Sequence, residues 1–401
     1  MSIHSIPGIK DLDIAEKRVF FRLDLNAPVK NGEVTDDTRL RAVVPTINYA
    51  LARSCRVVIA SHLGRPKGEV KAQYSLEPVA RRLSEMLDHD IILSDFPVGP
   101  VTGKLVREMH RGDIVMLENL RYSPHETKNE ESFAQELASY ADVYINDAFG
   151  TAHRAHASTA GMLPFVQGPC GVGLIMQKEL MALGKLRNAP AKPFVTILGG
   201  AKVSDKIGLI RSLLEQCNTL LIGGAMAYTF LKAQDRNVGA SRVEQHQLQL
   251  ARQLMQSARA RNVEILLPED HVVATSIDEN ANTRVVVEDF EDDEMGLDIG
   301  PTTRGLFRQR ILEAGRVFWN GPMGVFEMAP FAAGSRVIAE AMADTKAYTV
   351  VGGGDSAAAM KQLGSSERID HISTGGGASL ALMEGKTLPA LKAIQQTLRR
   401  R

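Results

Sequence analysis

The sequence predicts an α/β protein in which parallel sheets are flanked by helices and the chain forms two domains. Short β-branched or apolar runs alternate along the chain with Gly-rich or charged turns and amphipathic stretches. Such alternation of strand and helix is typical of parallel sheets covered on both faces. A length of 401 residues exceeds what one ordinary hydrophobic core accommodates, which favours two domains.

Ten runs have the composition of strands, and helices are predicted after most of them. In the first half the runs are RVFFRLDLN, RVVIASHLG, DIVMLENLR and DVYINDAFG. In the second half they are FVTILGGAK, TLLIGGAMA, VEILLPEDH, RVFWNGPMG, AYTVVGGGD and DHISTGGGA. Helices are predicted over residues 75–87, 130–140 and 205–215. A further helix over residues 174–186, inside a Gly- and Pro-rich segment, is the predicted bridge between the domains.

Composition argues against several classes of protein. Lys plus Arg and Asp plus Glu both total 47, so no net charge points to nucleic acid or to an acidic membrane. Cys55, Cys170 and Cys217 are far apart and form no C-x-x-C, which favours a reducing compartment over a disulfide framework or a zinc site. The start of the chain has no apolar signal region, and the uncharged stretch 155–177 contains prolines and glycines. We therefore expect a cytoplasmic protein without a membrane span.

The predicted strands of the two halves end in different residues. Ligands of open α/β sheets bind outside the carboxyl ends of the strands. Arginine forks in the first half suit a small anion, whereas glycines in the second half suit phosphate held by backbone N–H groups. The first-half ends hold Arg22, Asp24, Asn26, His62, Arg65, Asn119, Arg121 and Asp147, and the second-half ends hold Gly199, Gly200, Gly223, Gly224 and residues 352–354 and 375–377.

The turn after AYTVV joins three glycines to Asp355 and Ser356. A strand that enters a helix through glycines leaves N–H groups open at the helix N-terminus, where the dipole favours an anion. A carboxylate beside bound phosphate suits Mg²⁺, which usually takes one or two carboxylates plus substrate phosphates. The alternative is that Asp355 is an ordinary acidic residue of a first helical turn.

Two lysines and two polar residues near other turns extend this pattern. Lys206 would lie in the first turn of a helix that begins near Ser204, where the dipole disfavours lysine, so an anion there is indicated. Lys202 lies four residues earlier, and the alternative for both is a solvated surface pair. Asn320 and Glu327 suit contacts with a sugar hydroxyl or an amide, although Glu327 alone is equally typical of a solvated carboxylate.

Other classes of function fit less well. The segment from Gly352 to Ala357 matches the dinucleotide pattern G-x-G-x-x-A, but the next predicted strand does not end in the acidic residue that a nicotinamide dehydrogenase needs. The histidines His62, His153 and His156 are a weak metal signal. No G-x-S-x-G elbow or cysteine motif favours covalent catalysis. A non-catalytic phosphate-binding module would explain the arginines but not the nucleotide-type second half.

Eight segments resemble the signature segments of the phosphoglycerate kinase family, in that family's order. They are RLDLNAP, SHLGRP, ENLRY, DAFGTAHRAHAS, GGAKVSDKI, WNGPMGVFE, VVGGGDSAAA and STGGGASL, and the resemblance extends over essentially the whole chain. The resemblance implies two Rossmann-like domains joined by a hinge. The phosphoglycerate-binding domain would comprise residues 1–172 plus 389–401, the interdomain helix or hinge residues 173–187, and the nucleotide-binding domain residues 188–388.

The resemblance also implies a role for each matched residue. The substrate site would comprise Asp24, Leu25, Asn26, Arg39, His62, Leu63, Gly64, Arg65, Arg121 and Arg154. The catalytic residues would be Arg39, Lys202, Lys206, Gly375, Gly376 and Gly377. The nucleotide site would comprise Lys206, Asn320, Pro322, Glu327, Gly353, Gly354, Asp355 and Ser356, with Asp355 holding Mg²⁺.

The activity that the resemblance implies is a reversible, Mg²⁺-dependent phosphoryl transfer. The acyl phosphate of 1,3-bisphosphoglycerate would pass in line to ADP, giving ATP and 3-phosphoglycerate, after hinge closure in a monomeric glycolytic enzyme. Two positions depart from the family pattern. Ala225 stands where a third glycine is often found, which leaves the base preference open, and Ser356 keeps the hydroxyl of the threonine that is also common there.

Overall fold

The computed structural model describes residues 6–362, 364 and 366–400. The chain divides into two compact units, unit 1 within Met1–Met181 and Thr387–Arg401 and unit 2 within Ala182–Lys386. The predicted domain ranges include a few positions outside the described residues, namely 1–5, 363, 365 and 401. Within the described ranges, no helix combines the length and the apolar character that crossing a membrane requires.

Unit 1 is built on a parallel sheet of six strands. The strands of unit 1, including two outside this sheet, are β1 Arg18–Leu23, β2 Val29–Lys30, β3 Glu33–Val34, β4 Arg56–Ala60, β5 Ile91–Leu93, β6 Ile114–Met116, β7 Val143–Asp147 and β8 Cys170–Val172. Its helices are α1 Thr38–Leu51, α2 Glu77–Leu87, α3 Pro100–Arg107, α4 Pro124–Lys128, α5 Glu131–Ser139, α6 Leu174–Asn188, which runs into unit 2, and a C-terminal helix Pro389–Arg399. The sheet order is β5-β6-β4-β1-β7-β8, and β2 and β3 form a separate hairpin.

The central strand β1 explains why the polar residues of this half gather at one edge. Five of its six residues are buried, and it pairs in parallel with β4 and β7. A strand this apolar is typical of a parallel sheet covered on both faces. Phe21 belongs to one buried cluster with Leu40 of α1 and Val79 of α2. The residues that follow the parallel strands therefore lie at the same carboxyl edge.

The C-terminal helix Pro389–Arg399 packs within unit 1. It contacts the π-helical turn Ala157–Gly161 and the 3₁₀ turn Leu163–Phe165. The N–H of Ala390 donates to the carbonyl oxygen of Ala152 at 3.2 Å. This helix therefore supports the segment that carries Arg154.

Unit 2 combines a six-stranded parallel sheet with a small antiparallel one. Its strands are β9 Phe194–Leu198, β10 Thr219–Ile222, β11 Glu264–Leu266, β12 His271–Ala274, β13 Arg284–Val286, β14 Met295–Ile299, β15 Arg316–Asn320, β16 Tyr348–Gly352 and β17 His371–Ser373. Its helices are α7 Ile207–Leu213, α8 Met226–Ala233, α9 Leu248–Ala260, α10 Pro301–Leu312, α11 Ala333–Asp344, α12 Gly354–Gln362 and α13 Gly377–Met383. The C-terminal helix Pro389–Arg399 of unit 1 is α14. The parallel sheet has the order β11-β10-β9-β15-β16-β17 and the antiparallel one β13-β12-β14.

The α/β class with parallel, helix-flanked sheets is confirmed, and each of the ten predicted runs contains a strand. The predicted helix over residues 205–215 is a 3₁₀ turn, Ser204–Lys206, followed by α7. The antiparallel strands β12–β14 were not predicted. The strands were predicted from their alternation with helices, and no helix separates these three. Trp319 is fully buried in the core of unit 2, in one cluster with Phe307 and Ile338.

Candidate active site

Unit 1 contains a cavity of about 600 Å³ formed by segments that follow β4, β6 and β7. None of the described residues that line it is acidic. Because several cations face one space, the cavity suits a ligand with more than one negative charge. Its walls are formed by Arg65, Lys67, Gly68, Arg121, Pro124, Thr127, Lys128, Arg154 and His156.

The residues after β1 form a second part of this edge. Nη1 of Arg39, at the start of α1, lies 2.8 Å from Oδ1 of Asp24. Oδ1 of Asn26 accepts the N–H of Gly64 at 2.8 Å, which ties the end of β1 to the turn after β4. The N–H of Leu25 donates to Oγ of Ser61, also in that turn, at 3.0 Å. These bonds bring the predicted substrate residues of two strand ends together.

Arg121 is held by the same turn. Its Nη1 donates to the carbonyl oxygen of Gly64 at 2.8 Å, and the side chain of Asn119 donates to the carbonyl oxygen of Leu63 at 2.7 Å. Burial, followed by the charge of the neighbouring Arg22, lowers the pKa of Arg121 to about 10. A guanidinium with that pKa is still charged at neutral pH. The neighbouring cations of the site therefore repel one another, and a bound anion would offset that repulsion.

Three histidines lie beside these arginines and stay neutral. Burial, followed by the charge of Arg22, holds the pKa of His62 well below its usual range and that of His156 at about 4. Burial and Arg154 also lower the pKa of His153, whose Nε2 accepts from Nε of Arg154 at 3.3 Å. The rings therefore act as neutral hydrogen-bonding groups in a basic environment.

Arg22 corrects one expectation from the sequence. The sequence predicted Arg22 at a strand end, with Asp24 and Asn26, where it would meet a small anion, but β1 ends at Leu23 and Arg22 is only 1% exposed. Its guanidinium instead donates to Oγ of Ser158 at 2.8 Å and lies against His62. A buried charge needs such partners, and here the protein provides them.

In unit 2 the ends of β9, β15 and β16 meet around Lys206. Its Nζ donates to the carbonyl oxygens of Gly199 at 2.6 Å and Asn320 at 2.8 Å. Gly321 has a φ of +96°, and a Cβ there would lie only 2.4 Å from the carbonyl oxygen of Gly199, so only glycine fits this close approach. Burial lowers the pKa of Lys206 to about 8, against the opposing charges of Asp355 and Asp205. Lys202, by contrast, is exposed.

Two predicted nucleotide residues form hydrogen bonds within the turns of unit 2. The side chain of Asn320 donates to the carbonyl oxygen of Gly352 at 2.6 Å. Oγ of Ser356, which is buried, accepts the N–H of Gly321 at 2.6 Å. Both bonds join the turn after β15 to the turn after β16, so these side chains shape the site from behind.

The other predicted residues of unit 2 lie at the same strand ends. Asp355 is exposed in the first turn of α12, and Glu327 is exposed after β15, with Pro322 half-buried before it. Gly376, with a φ of +45°, precedes α13, which begins at Gly377. Gly375 is buried and its N–H donates to Oγ of Ser373 at 3.3 Å.

A magnesium ion would fit beside Asp355 only as part of a metal–phosphate complex. The carboxylate is exposed and interacts electrostatically with Lys206, which marks the same spot as suitable for anions. The described residues bring no three His, Cys, Asp or Glu side chains together in a metal-binding group. The donor set of one carboxylate matches Mg²⁺ that takes its other ligands from phosphate and water.

Several residues of the site were not predicted. Lys67 and Lys128 line the cavity of unit 1, and Lys67 has a left-handed backbone with a φ of +61°. Lys67 stands two residues after Arg65 in SHLGRPKG, so the motif itself contained that signal. Glu126 and Ser158 lie buried beneath the cavity, and a helical glutamate and a loop serine give no sequence signal for such a place.

Comparisons with known proteins agree on one family. A family model described as phosphoglycerate kinase matches residues 9–386. "Phosphoglycerate kinase" from Anaeromyxobacter dehalogenans strain 2CP-C is 54% identical over 393 residues, covering 97% of this chain and 99% of the relative. "Phosphoglycerate kinase" from Clostridium novyi strain NT is 51% identical over 390 residues, covering 96% and 98%.

Solved structures give the same result. The structure of phosphoglycerate kinase from Coxiella burnetii matches with a TM-score of 0.89 and 38% identity, covering 98% of this chain and 99% of that one. The phosphoglycerate kinase from Pyrococcus horikoshii OT3 matches with a TM-score of 0.81 and 32% identity over the same shares. With its motifs, its two parallel sheets and these relatives, the chain belongs to the phosphoglycerate kinase family of phosphotransferases.

Proposed function

We propose that the protein transfers the acyl phosphate of 1,3-bisphosphoglycerate to ADP, reversibly and with Mg²⁺, giving ATP and 3-phosphoglycerate. The observation that carries this proposal is the cavity of unit 1, in which five cations and no acidic residue among the described ones face one space of about 600 Å³. A small molecule with a phosphate and a carboxylate or acyl phosphate matches that charge. Family membership supplies the second substrate, a nucleotide.

In unit 1, Arg65, Arg121 and Arg154 are proposed to hold the phosphate that is not transferred, since their guanidinium groups line the cavity. Asp24 and Asn26 would bind the hydroxyl and carboxyl end, with His62, Leu63 and Gly64 closing the site. Arg39 would reach the transferring phosphoryl group. Its bond to Asp24 holds its guanidinium at the edge of the sheet before substrate arrives.

In unit 2, the glycine turns are proposed to hold the nucleotide phosphates. Gly353 precedes α12 and Gly354 is its first residue, so the N-terminal N–H groups of this helix would face a bound phosphate. Lys206 would contact the phosphates, while Glu327 would bind the ribose. Asp355 would hold Mg²⁺, which when bound neutralises phosphate charge and orients the phosphate groups.

The transfer needs no general base, because the accepting carboxylate or phosphate is already anionic. Catalysis then consists of alignment and of charge stabilisation on the equatorial oxygens. Arg39, Lys202 and Lys206 are proposed to provide that positive charge, together with the N–H groups of the segment 375–377. This division of labour agrees with the pKa values of His62 and His156, which burial and the neighbouring arginines hold well below pH 7, so that neither ring is poised as a proton acceptor there.

We further propose the domain roles that the resemblance implies. Residues 1–172 with 389–401 would bind phosphoglycerate, residues 188–388 would bind nucleotide, and residues 173–187 would act as the hinge. Closure would bring the substrates together and keep water from the acyl phosphate. Solution scattering tests this: compaction is expected with both substrates bound, and an unchanged radius of gyration would contradict closure.

We propose that the protein works as a monomer in the cytoplasm. Its three cysteines are buried and form no disulfide bond, which suits a reducing compartment. Sedimentation of the purified protein would test the monomer, and a mass of two chains at working concentration would contradict it.

The deciding experiment is ATP-dependent phosphorylation of 3-phosphoglycerate, with and without Mg²⁺. The product is followed through a glyceraldehyde-phosphate dehydrogenase couple. Turnover that requires Mg²⁺ is the expected result. Absence of turnover in folded protein, in the presence of both substrates and Mg²⁺, would overturn the proposed function.

A further inference from the structure

A buried chain of hydrogen bonds lies beneath the basic cavity of unit 1 and ends on His62. It runs from the carboxylate of Glu126 through the hydroxyl of Ser158 to the guanidinium of Arg22, and from there to the imidazole ring. Arg22 and Glu126 are each only 1% exposed. The proposed reaction uses neither of them directly, so their burial calls for another explanation.

The direction of these hydrogen bonds follows from the chemistry of the groups. A guanidinium has donors only, so Nε of Arg22 donates to Oγ of Ser158 at 2.8 Å. The single proton of the Ser158 hydroxyl is donated to Oε1 of Glu126 at 2.6 Å. The backbone N–H of Ser158 donates to Oε2 of Glu126 at 2.9 Å. Glu126 therefore accepts at both oxygens, an arrangement that favours the ionised carboxylate although burial raises the pKa of this group, and the Ser158 hydroxyl has one orientation.

The same rule places the proton on His62. Nη2 of Arg22 lies 3.3 Å from Nδ1 of His62. Because the guanidinium cannot accept a hydrogen bond, Nδ1 must carry a lone pair and the ring proton must lie on Nε2. Nη1 of Arg22 donates to the carbonyl oxygen of Leu23. All three guanidinium nitrogens are thus engaged, which prevents the group from turning away from His62.

A second proton on His62 is opposed from every side. The residue is 4% exposed, and the charged or titratable groups that face it are Arg22, Arg121, Arg39 and His156. Burial and these cations hold its pKa well below the ordinary value. The ring therefore stays neutral, and only the choice between the two neutral tautomers is left for Arg22 to decide.

Ser158 is itself fixed by the fold. It lies in the π-helical turn Ala157–Gly161, a geometry that occurs often at functional sites. Its carbonyl oxygen accepts from the hydroxyl of Tyr144 on β7 at 2.9 Å. The side chain of Asn146 donates to that hydroxyl at 3.0 Å. The sheet therefore sets where Ser158 stands, and Ser158 sets where Arg22 stands.

We propose that Glu126, Ser158 and Arg22 are positioning residues that lock His62 in the neutral Nε2–H tautomer, so that His62 presents a hydrogen-bond donor to an anionic oxygen of the substrate. The identity of that substrate, 3-phosphoglycerate, rests on the proposed function. The tautomer does not, because it follows from contacts within the protein. Fixing a ring through a partner on its other nitrogen is a general way to orient a histidine.

The test reads the tautomer directly, by NMR of the full-length protein labelled with nitrogen-15 at histidine. Long-range proton–nitrogen correlation spectra near pH 7 distinguish a protonated ring nitrogen from an unprotonated one. The His62 signals are identified by their loss in His62→Gln. We expect Nε2 protonated and Nδ1 unprotonated in the wild-type protein. A protonated Nδ1, or exchange between both tautomers, would overturn the proposal.

Variants of Arg22 and Ser158 test the positioning role. In Arg22→Met the donor to Nδ1 is gone, and His62 should exchange between tautomers. Ser158→Ala deletes one oxygen atom and should show partial exchange, with the KM for 3-phosphoglycerate raised about tenfold and kcat changed less. Thr102→Val removes another buried hydroxyl of unit 1, which bonds to the carbonyl oxygen of Phe96, and should leave the His62 signals unchanged.

The outcomes separate this inference from the proposed function. An unchanged tautomer in both Arg22→Met and Ser158→Ala would overturn the positioning role, and the serine variant keeps that test open if the methionine variant does not fold. A locked tautomer in a protein that does not phosphorylate 3-phosphoglycerate would support the lock and reject the substrate. Turnover of 3-phosphoglycerate by a wild-type protein in which His62 exchanges between tautomers would support the substrate and reject the lock.

Discussion

Arg39 donates from Nη1 to Oδ1 of Asp24 at 2.8 Å, although both belong to the same proposed substrate site. The pair joins the start of α1 to the end of β1. The Arg39 side chain remains 40% exposed, so the bond leaves part of its guanidinium available to a ligand. An arginine that is held at one nitrogen and open at others is suited to charge that develops during a reaction.

Arg39→Ala is expected to lower kcat by about 10²–10³, the size typical for one group that stabilises a transition state. The KM for 3-phosphoglycerate should change much less, because the charge that Arg39 meets develops during transfer. Steady-state kinetics with each substrate varied measure both constants. Asp24→Asn serves as the comparison, since it removes the internal partner and keeps Arg39. A change confined to KM in Arg39→Ala would contradict the assignment.

Asp355→Ala is expected to weaken the use of Mg-nucleotide strongly and to leave 3-phosphoglycerate binding nearly intact. The reason is that the exposed carboxylate stands at the first turn of α12 in unit 2, while the basic cavity lies in unit 1. Calorimetric titration of each ligand separately, with Mg²⁺ present, measures the two affinities. Asp355→Asn keeps the size and removes the charge. Equal loss of both affinities would refute the assignment of Asp355 to the metal–nucleotide complex.

Lys206 predicts an alkaline limit to activity. Its pKa is lowered to about 8 by burial, so the ammonium loses its proton, and its charge, as the pH rises through about 8. The kcat/KM for nucleotide should therefore fall above that pH in the wild-type enzyme. Lys206→Arg keeps a permanent charge and should remove this limb even if its activity is lower. If the alkaline fall in kcat/KM persists unchanged in Lys206→Arg, another group causes it. Lys202→Arg is the matched control and should keep the alkaline fall.

His271 predicts an acid-sensitive core in unit 2. The ring is buried beside Tyr228 and Phe290, and burial followed by Arg236 lowers its pKa to about 4, with Asp270 acting in the opposite direction. Between about pH 6.5 and 4 the unfolded chain binds this proton more readily than the folded protein does. As the pH decreases over this interval, His271 therefore lowers the free energy of unfolding by at most about 1.4 kcal/mol per pH unit.

Denaturant unfolding at several pH values measures that slope. His271→Phe should flatten it over this interval. Tyr228→Phe, which removes the hydroxyl that lies 3.2 Å from Nδ1 of His271, should shift the stability while the slope persists. An equally steep slope in His271→Phe would show that other groups cause the acid loss.

Two glycines are expected to respond in opposite ways to alanine. A Cβ at Gly199 would lie 2.0 Å from the carbonyl oxygen of Pro322, whereas a Cβ at Gly354 meets nothing within 4 Å. Gly199→Ala should therefore lower the melting temperature. Gly354→Ala should leave it unchanged or raise stability by about 0.5–1 kcal/mol, yet weaken nucleotide binding because the new methyl group stands where phosphate would approach. Wild-type nucleotide affinity in Gly354→Ala would contradict the phosphate role of this turn.

The parallel sheets and much of the candidate site could be predicted because both follow from local patterns. β1 and β9 are mostly apolar runs, and the residues after such runs, including Asn26 and Gly199, lie at the strand ends where the sequence predicted them. The sheet topology then brings together residues that are far apart in the chain, such as Asn26 and Gly64.

What could not be predicted depends on contacts between distant segments. Arg22 was predicted among the strand-end residues that meet a ligand but is buried, where Ser158, 136 positions later, accepts its hydrogen bond. Ser356 has the sequence context of a phosphate ligand, yet its hydroxyl bonds to Gly321. No pattern of composition or spacing encodes such partners, because each depends on the tertiary fold.

The placement of Pro389–Arg399 has a consequence for how the protein is made. These residues are translated after all of unit 2, yet they support the segment 152–165 of unit 1, on which Arg154 and Ser158 stand. During synthesis, the first half of the chain therefore leaves the ribosome without one of its own helices and must wait for the second half before it is complete. A chain that stops after Lys386 should leave unit 1 open to proteases in the segment 152–165, and adding the missing helix as a separate peptide should restore protection.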